Sequence, residues 1–95
     1  MAEIVWLPGA KQDIKRLFTF LKKKNPLAAK NAIKAIRAGA KQLEDYPEVG
    51  RPMSDKTARR ELFMAYGSGG YVLRYIIDED RVVVIRVWHA REKRR

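Results

Sequence analysis

Ninety-five residues without a cysteine make one small domain spanning residues 1–95, because two cores in so short a chain would each be too small to be stable. Disulfides, thiolate zinc sites and a cysteine nucleophile are excluded with the cysteines. A net charge of +10, from 21 basic and 11 acidic residues and concentrated in residues 11–24 and 86–95, draws an anionic partner, whether nucleic acid, membrane surface or acidic protein.

Ile4-Val5-Trp6-Leu7 reads as a first strand, stopped by Pro8-Gly9, and Pro8 suits the first turn of a helix. From Ala10 to Lys23, Ala10, Ile14, Leu17, Phe18 and Leu21 recur at helical spacing, while Lys15, Arg16, Lys22 and Lys23 take the opposite side. Phe20 lies off the apolar stripe. Lys24-Asn25-Pro26 breaks this helix and starts another, with Asn25 as cap and Pro26 in first position. The second helix runs to about Asp45. Its core stripe is Ala29, Ala32, Ile33, Ile36, Ala40 and Leu43, and Lys30, Lys34, Arg37 and Lys41 line another side. So short a link predicts an antiparallel helical hairpin.

Residues 46–58, YPEVGRPMSDKTA, form a long polar connection, a length often associated with function in small domains. Arg59 to Ala65 reads as a strand, Gly67 to Gly70 as a turn, and Tyr71 to Ile77 as a strand with Tyr71, Leu73, Tyr75 and Ile77 on one face. Asp78-Glu79-Asp80 turns into a last strand, Arg81 to His89, whose β-branched run Val82-Val83-Val84-Ile85 favours burial. The expected fold is α+β, in the order β-α-α-β-β-β, with the N-terminal helical hairpin packed on a mostly antiparallel four-stranded sheet. No apolar stretch approaches the roughly 20 residues that a bilayer-spanning helix needs. The N-terminus MAEIVWLPGA has an acid and only a short apolar run, so neither a signal peptide nor a membrane role is expected.

The last strand delivers Arg86, Trp88, His89 and Arg91 to one end of the domain, followed by the basic tail Lys93-Arg94-Arg95. His89 has the ordinary chemistry of a general base, and with Arg74, Arg86 and Arg91 it supplies part of what RNA cleavage needs. The alternative reading, a histidine that closes the strand with a structural hydrogen bond, weighs more, because no second acid–base partner is evident. Arg74, inside a strand, must meet a carboxylate such as Glu61 or a ligand. Arg51, in the Gly-Arg-Pro loop, either binds an anion or holds the loop. A lone histidine without cysteine gives no metal site, and Gly67 to Gly70 lacks the lysine and helix of a phosphate loop. No cofactor is expected. Residues 91–95 hold no apolar side chain, so they are not expected to be part of the core and their removal should barely change folding.

Taken in order, several segments resemble the RelE/ParE superfamily of bacterial type II toxins: Pro8 with Ala10 and Asp13; Asn25-Pro26 with Ala29; Leu43 leading to Tyr46-Pro47-Glu48-Val49-Gly50-Arg51; Arg60-Glu61-Leu62; Gly70-Tyr71-Val72-Leu73-Arg74-Tyr75; and Val87-Trp88-His89-Ala90-Arg91. The resemblance covers nearly the whole chain. It implies a cytoplasmic toxin held in a hetero-oligomer by an antitoxin, with either DNA gyrase or ribosome-bound mRNA as target. RelE-like nucleases commonly carry Arg where this chain has Val72, and often a tail Tyr where it has Arg91-Glu92-Lys93-Arg94-Arg95. The resemblance is therefore closer to the ParE branch, which inhibits DNA gyrase by binding and is not known for catalysis. It implies target contacts from Arg51, Arg74, Arg86, Trp88, His89 and Arg91. The antitoxin contacts expected are Lys15, Arg16, Lys30, Lys34 and Arg37 with the apolar lips between helices and sheet. A RelE-like mRNA endoribonuclease using His89, Arg74, Arg86 and Arg91 is the alternative, and an inactive toxin fold serving as antitoxin partner or co-repressor is a third reading.

Overall fold

A computed structural model describes residues 2–92. The chain runs β1 (Glu3–Trp6), α1 (Pro8–Lys22), α2 (Pro26–Gln42), β2 (Arg51–Pro52), β3 (Arg60–Tyr66), β4 (Gly69–Asp78) and β5 (Arg81–His89). The helical hairpin, the strand order along the chain and the α+β class are those expected from the sequence. One strand is added: Arg51–Pro52, inside the long connection, pairs antiparallel with Glu61 and Arg60, so the sheet has five strands in the order β1-β5-β4-β3-β2. Two residues flanked by Gly50 and Met53 leave no period to read, which is why the sequence hides this strand.

Helix starts follow their chemistry. Asn25 Oδ1 accepts from the N–H groups of Leu27 and Ala28 at 3.0 and 3.1 Å, satisfying donors that the first turn leaves open, with Pro26 behind it. At α1, Pro8 stands in the first turn and no side chain caps the end. The helices bury Ala10, Leu17, Ala32, Ile36, Ala40 and Leu43 against Leu62, Met64, Tyr71, Leu73, Tyr75, Val82, Val84 and Val87. Phe20 stays exposed, with Lys24 Nζ 5.2 Å from its ring centroid. The turn between β3 and β4 is tighter than the glycines suggest: Gly69 and Gly70 join β4, and Gly67, at φ 61°, makes the bend with Ser68.

Two irregularities on β5 position the site. Arg74 faces Arg86 but Tyr75 faces Val84, so Ile85 is an extra residue on β5. Past this bulge the buried position moves from Val84 to Val87, and strict alternation would have buried Arg86 instead. The second irregularity is an edge. β1 pairs with β5 only as far as Trp6 opposite Val84. Beyond it α1 stands beside β5, and the Asp13 carboxylate accepts the Val87 N–H at 2.8 Å, taking the place of a neighbouring strand.

Candidate functional site

Three surfaces collect the candidate residues. The first is the seam between α1 and the end of β5. Asp13 Oδ2 accepts from Arg86 Nε at 2.7 Å and Oδ1 from Arg86 Nη2 at 3.0 Å, besides the Val87 N–H. Arg16 Nη2 lies 3.6 Å from the same carboxylate. Burial by itself would raise the Asp13 pKa. The Arg86 hydrogen bonds, the Val87 N–H and the charges of Arg86 and Arg16 together outweigh it, so the carboxyl is held below its usual range. Arg86 is shifted upward by the same bonds and charge.

Arg16 reaches further along the seam. Its Nη1 donates to Glu92 Oε2 at 2.8 Å, while Glu92 Oε1 accepts from the His89 N–H at 2.8 Å. Glu92 therefore moors the turn after β5 onto α1 through a part-exposed surface pair, outside the core. Lys93, Arg94 and Arg95 lie outside the described residues. The His89 ring stands edge-on to Tyr71 with centroids 5.3 Å apart, and its Nδ1 accepts the Arg91 N–H at 3.1 Å. With that lone pair engaged, the neutral ring carries its proton on Nε2. Arg91 itself is exposed.

The second surface is the sheet face away from the helices. Arg74 is 8% exposed, lies over the Trp88 ring at 4.8 Å, and donates through Nε and Nη2 to Glu61 Oε2 at 3.0 and 2.7 Å. Trp88 is buried under this pair rather than in the core between helices and sheet. Next to it, Val49, Arg51, Glu61, Phe63 and Val72 line an open hollow of about 460 Å³. Arg51 on β2 is separated by β3 and β4 from Arg86, Trp88 and His89 on β5, so the six expected target residues are spread across the sheet.

Sequence reasoning missed Phe63 and Val49, which are 58% and 53% exposed, and the device that fixes them. Tyr75 Oη donates to the Pro47 carbonyl at 2.6 Å and accepts the Gly50 N–H at 2.9 Å, while Arg60 Nη1 donates to the Glu48 and Gly50 carbonyls at 3.0 and 2.8 Å. A Cβ on residue 50 would sit 2.5 Å from Tyr75 Oη, so the clasp requires glycine there. The available signal was the Pro-x-x-Gly segment following Leu43, read with the buried face of Tyr75.

The third surface is basic. A groove of about 580 Å³ between β1 and the two helices has Ile4, Trp6 and Ile14 in its lining, together with Lys11, Arg37 and Lys41. Of the five cations expected to meet an antitoxin, only Arg37 lines it. Lys15 and Arg16 border a separate shallow depression on the outer side of α1, near Phe20, and Lys30 and Lys34 are simply exposed on α2. Lys11 and Lys41 were not singled out for this surface in the sequence. Among the described residues no cluster of His, Asp or Glu is arranged to hold a metal ion, and no helix is long and apolar enough to cross a membrane.

Residues 4–94 match the family described as the ParE toxin of the type II toxin–antitoxin system parDE. Curated relatives from Caulobacter vibrioides include "Toxin RelE3", 38% identical over 92% of this chain and 92% of that one, and "Toxin RelE1", 34% identical over 90% and 89%. A solved chain titled "Chromosomal ParDE TA system from P. aeruginosa" superposes with a TM-score of 0.76 at 18% identity, covering 94% of this chain and 96% of that one. At that identity the likeness concerns the fold.

Proposed function

Since this chain belongs to the ParE toxin family of type II toxin–antitoxin systems, and so has a cognate antitoxin as partner, we propose that it arrests growth in the cytoplasm by binding DNA gyrase and performs no covalent chemistry of its own. One observation carries this reading: three of the four groups a nuclease would use, Arg86, Arg74 and His89, are already engaged by other residues of the protein, and of the four only Arg91 faces outward. Arg86 is held by Asp13, Arg74 by Glu61 and Trp88, and the Nδ1 lone pair of His89 by the Arg91 N–H. A general base needs a free lone pair aimed at the hydroxyl it deprotonates, and phosphate needs cations that are not already neutralised. Arg91 and Arg51 remain outward-facing cations, suited to contact with a protein surface.

The groove between β1 and the helices supports the antitoxin part of the reading. A lining of Ile4, Trp6 and Ile14 with three cations, Lys11, Arg37 and Lys41, against one acid, Glu44, suits an acidic segment that folds on binding, in a hetero-oligomer. Lys15, Lys30 and Lys34 extend the positive field around it, while the Arg16 charge is paired with Glu92. The second reading, a ribosome-dependent mRNA endoribonuclease, is favoured by the relatives' names, which are those of RelE toxins. Purified protein tested in parallel on gyrase supercoiling and on ribosome-bound mRNA separates the two. Inhibited supercoiling with intact mRNA is expected. Codon-specific mRNA cuts with gyrase unaffected would replace the first reading by the second.

A further inference from the structure

We infer that the hollow beside β2 and β3 is the seat for the toxin's protein target, and that its occupant is a loop or strand presenting an apolar side chain next to a carboxylate. The inference rests on the protein-target reading above and deepens it. The hollow is open, and two of its lining side chains, Phe63 and Val49, are exposed and stand on closely held backbone. Phe63 lies across the backbone of Gly70: a Cβ there would fall 2.6 Å from Phe63 Cζ and 2.8 Å from Cε1, so only glycine lets the ring rest in this position. Val49 sits in the segment that Tyr75 and Arg60 clasp from beneath. Apolar side chains held rigid in water lose little conformational freedom when a partner covers them, which is what an efficient anchor pocket requires.

The charges select the occupant. Arg51 stands at the edge of the hollow and is exposed, so it favours a carboxylate from the partner. Glu61 lines the same hollow and holds Arg74. A phosphate backbone carries a charge at every step and would meet the Glu61 carboxylate with only Arg51 exposed to receive it, whereas a segment with a single acid needs only Arg51 and can set its apolar residue against Val49, Phe63 and Val72. A protein segment therefore fits the hollow better than RNA does.

The test uses the full chain with Phe63→Ala, Val49→Asp and Arg51→Glu, and Leu27→Ala as a control at an equally exposed apolar residue outside the hollow. Growth arrest on induction, inhibition of gyrase supercoiling, antitoxin affinity, Tm and binding of a labelled single-stranded RNA are measured for wild type and for each variant. At least about a tenfold loss of toxic potency is expected for the three hollow variants, as for anchor residues of an interface, with antitoxin affinity and Tm preserved and Leu27→Ala as toxic as wild type. Full toxicity in all three variants overturns the hollow and leaves the gyrase reading intact. Toxicity lost in the variants without any wild-type effect on gyrase overturns the gyrase reading and keeps the hollow. RNA binding by the wild type that the variants lose overturns the choice of a protein occupant. An inert wild type overturns both, because the occupant is defined as the toxin's target. If Val49→Asp proves unstable, Val49→Ala replaces it on the same criteria.

Discussion

The seam between α1 and β5 and the hollow beside β2 are built from similar materials, an arginine and a carboxylate, and have opposite characters. At the seam the Asp13 side chain is 4% exposed and its oxygens take hydrogen bonds from Arg86 and from the Val87 N–H. Here the carboxylate is the buried partner, while the Arg86 side chain stays 41% exposed. At the hollow the Glu61 side chain is 33% exposed, Arg74 is covered by Trp88, and the apolar residues alongside remain open. A buried carboxylate whose oxygens both accept hydrogen bonds makes its charge part of the fold. Exposed apolar side chains on a rigid frame leave a surface for something else. A sequence shows arginines in both places without separating the two situations.

The sharpest way to break this comparison is Asp13→Ala. It strips the acceptor from a buried N–H and leaves Arg86 without its carboxylate, so a loss of about 3 kcal/mol is expected in urea denaturation. A loss below about 1 kcal/mol would place the seam with ordinary surface pairs. The pH dependence should follow. The folded pKa of Asp13 lies below its unfolded value, so the stabilisation is present above the unfolded pKa and is lost as pH falls through the folded one. The stability gap between wild type and Asp13→Asn should be full at neutral pH and shrink below about pH 4, where carboxylates ordinarily protonate. A gap that widens on acidification would contradict the assignment.

Tyr75→Phe addresses the other region with a smaller effect. Removing the hydroxyl leaves the Pro47 carbonyl and the Gly50 N–H without their shared partner, at a cost of about 1–2 kcal/mol. The Gly50 amide should exchange faster with solvent, and toxicity should fall more than stability does, since Val49 loses its fixed position. Unchanged exchange at Gly50 would mean that Arg60 alone holds the loop.

The smallest effects belong to the end of the seam. The Arg16 and Glu92 side chains are 41% and 33% exposed, so a double-mutant cycle on Arg16→Ala and Glu92→Gln should give a coupling below about 1 kcal/mol. Arg91→Ala should leave Tm within about 2 °C, because an exposed charge contributes little. If it also leaves toxicity unchanged while the hollow variants abolish it, the hollow alone carries the target. Salt should act mainly on the groove: raising ionic strength is expected to slow antitoxin association far more than it speeds dissociation, since cations steer the encounter and apolar residues hold the complex. Equal changes in both rates would assign the holding to the charges as well.

The sequence by itself determined much of the fold. Apolar spacing in residues 10–23 and 26–43, the Asn25-Pro26 restart and the alternation of Tyr71, Leu73 and Tyr75 gave two helices on a sheet, because these signals are local and repeat with a fixed period. It also brought Arg74 and Glu61 together as an expected pair, since they lie on adjacent strands. What the tertiary structure decided depends on registers and distances that no period encodes. The bulge at Ile85 moves burial from Val84 to Val87, and the early end of β1 makes room for Asp13, 74 residues from Val87 along the chain, to finish the edge. The missing side chains of Gly50 and Gly70 let Tyr75 clasp a loop and Phe63 lie on a strand. A glycine in a sequence records that something comes close; only the folded chain brings up the residue that does.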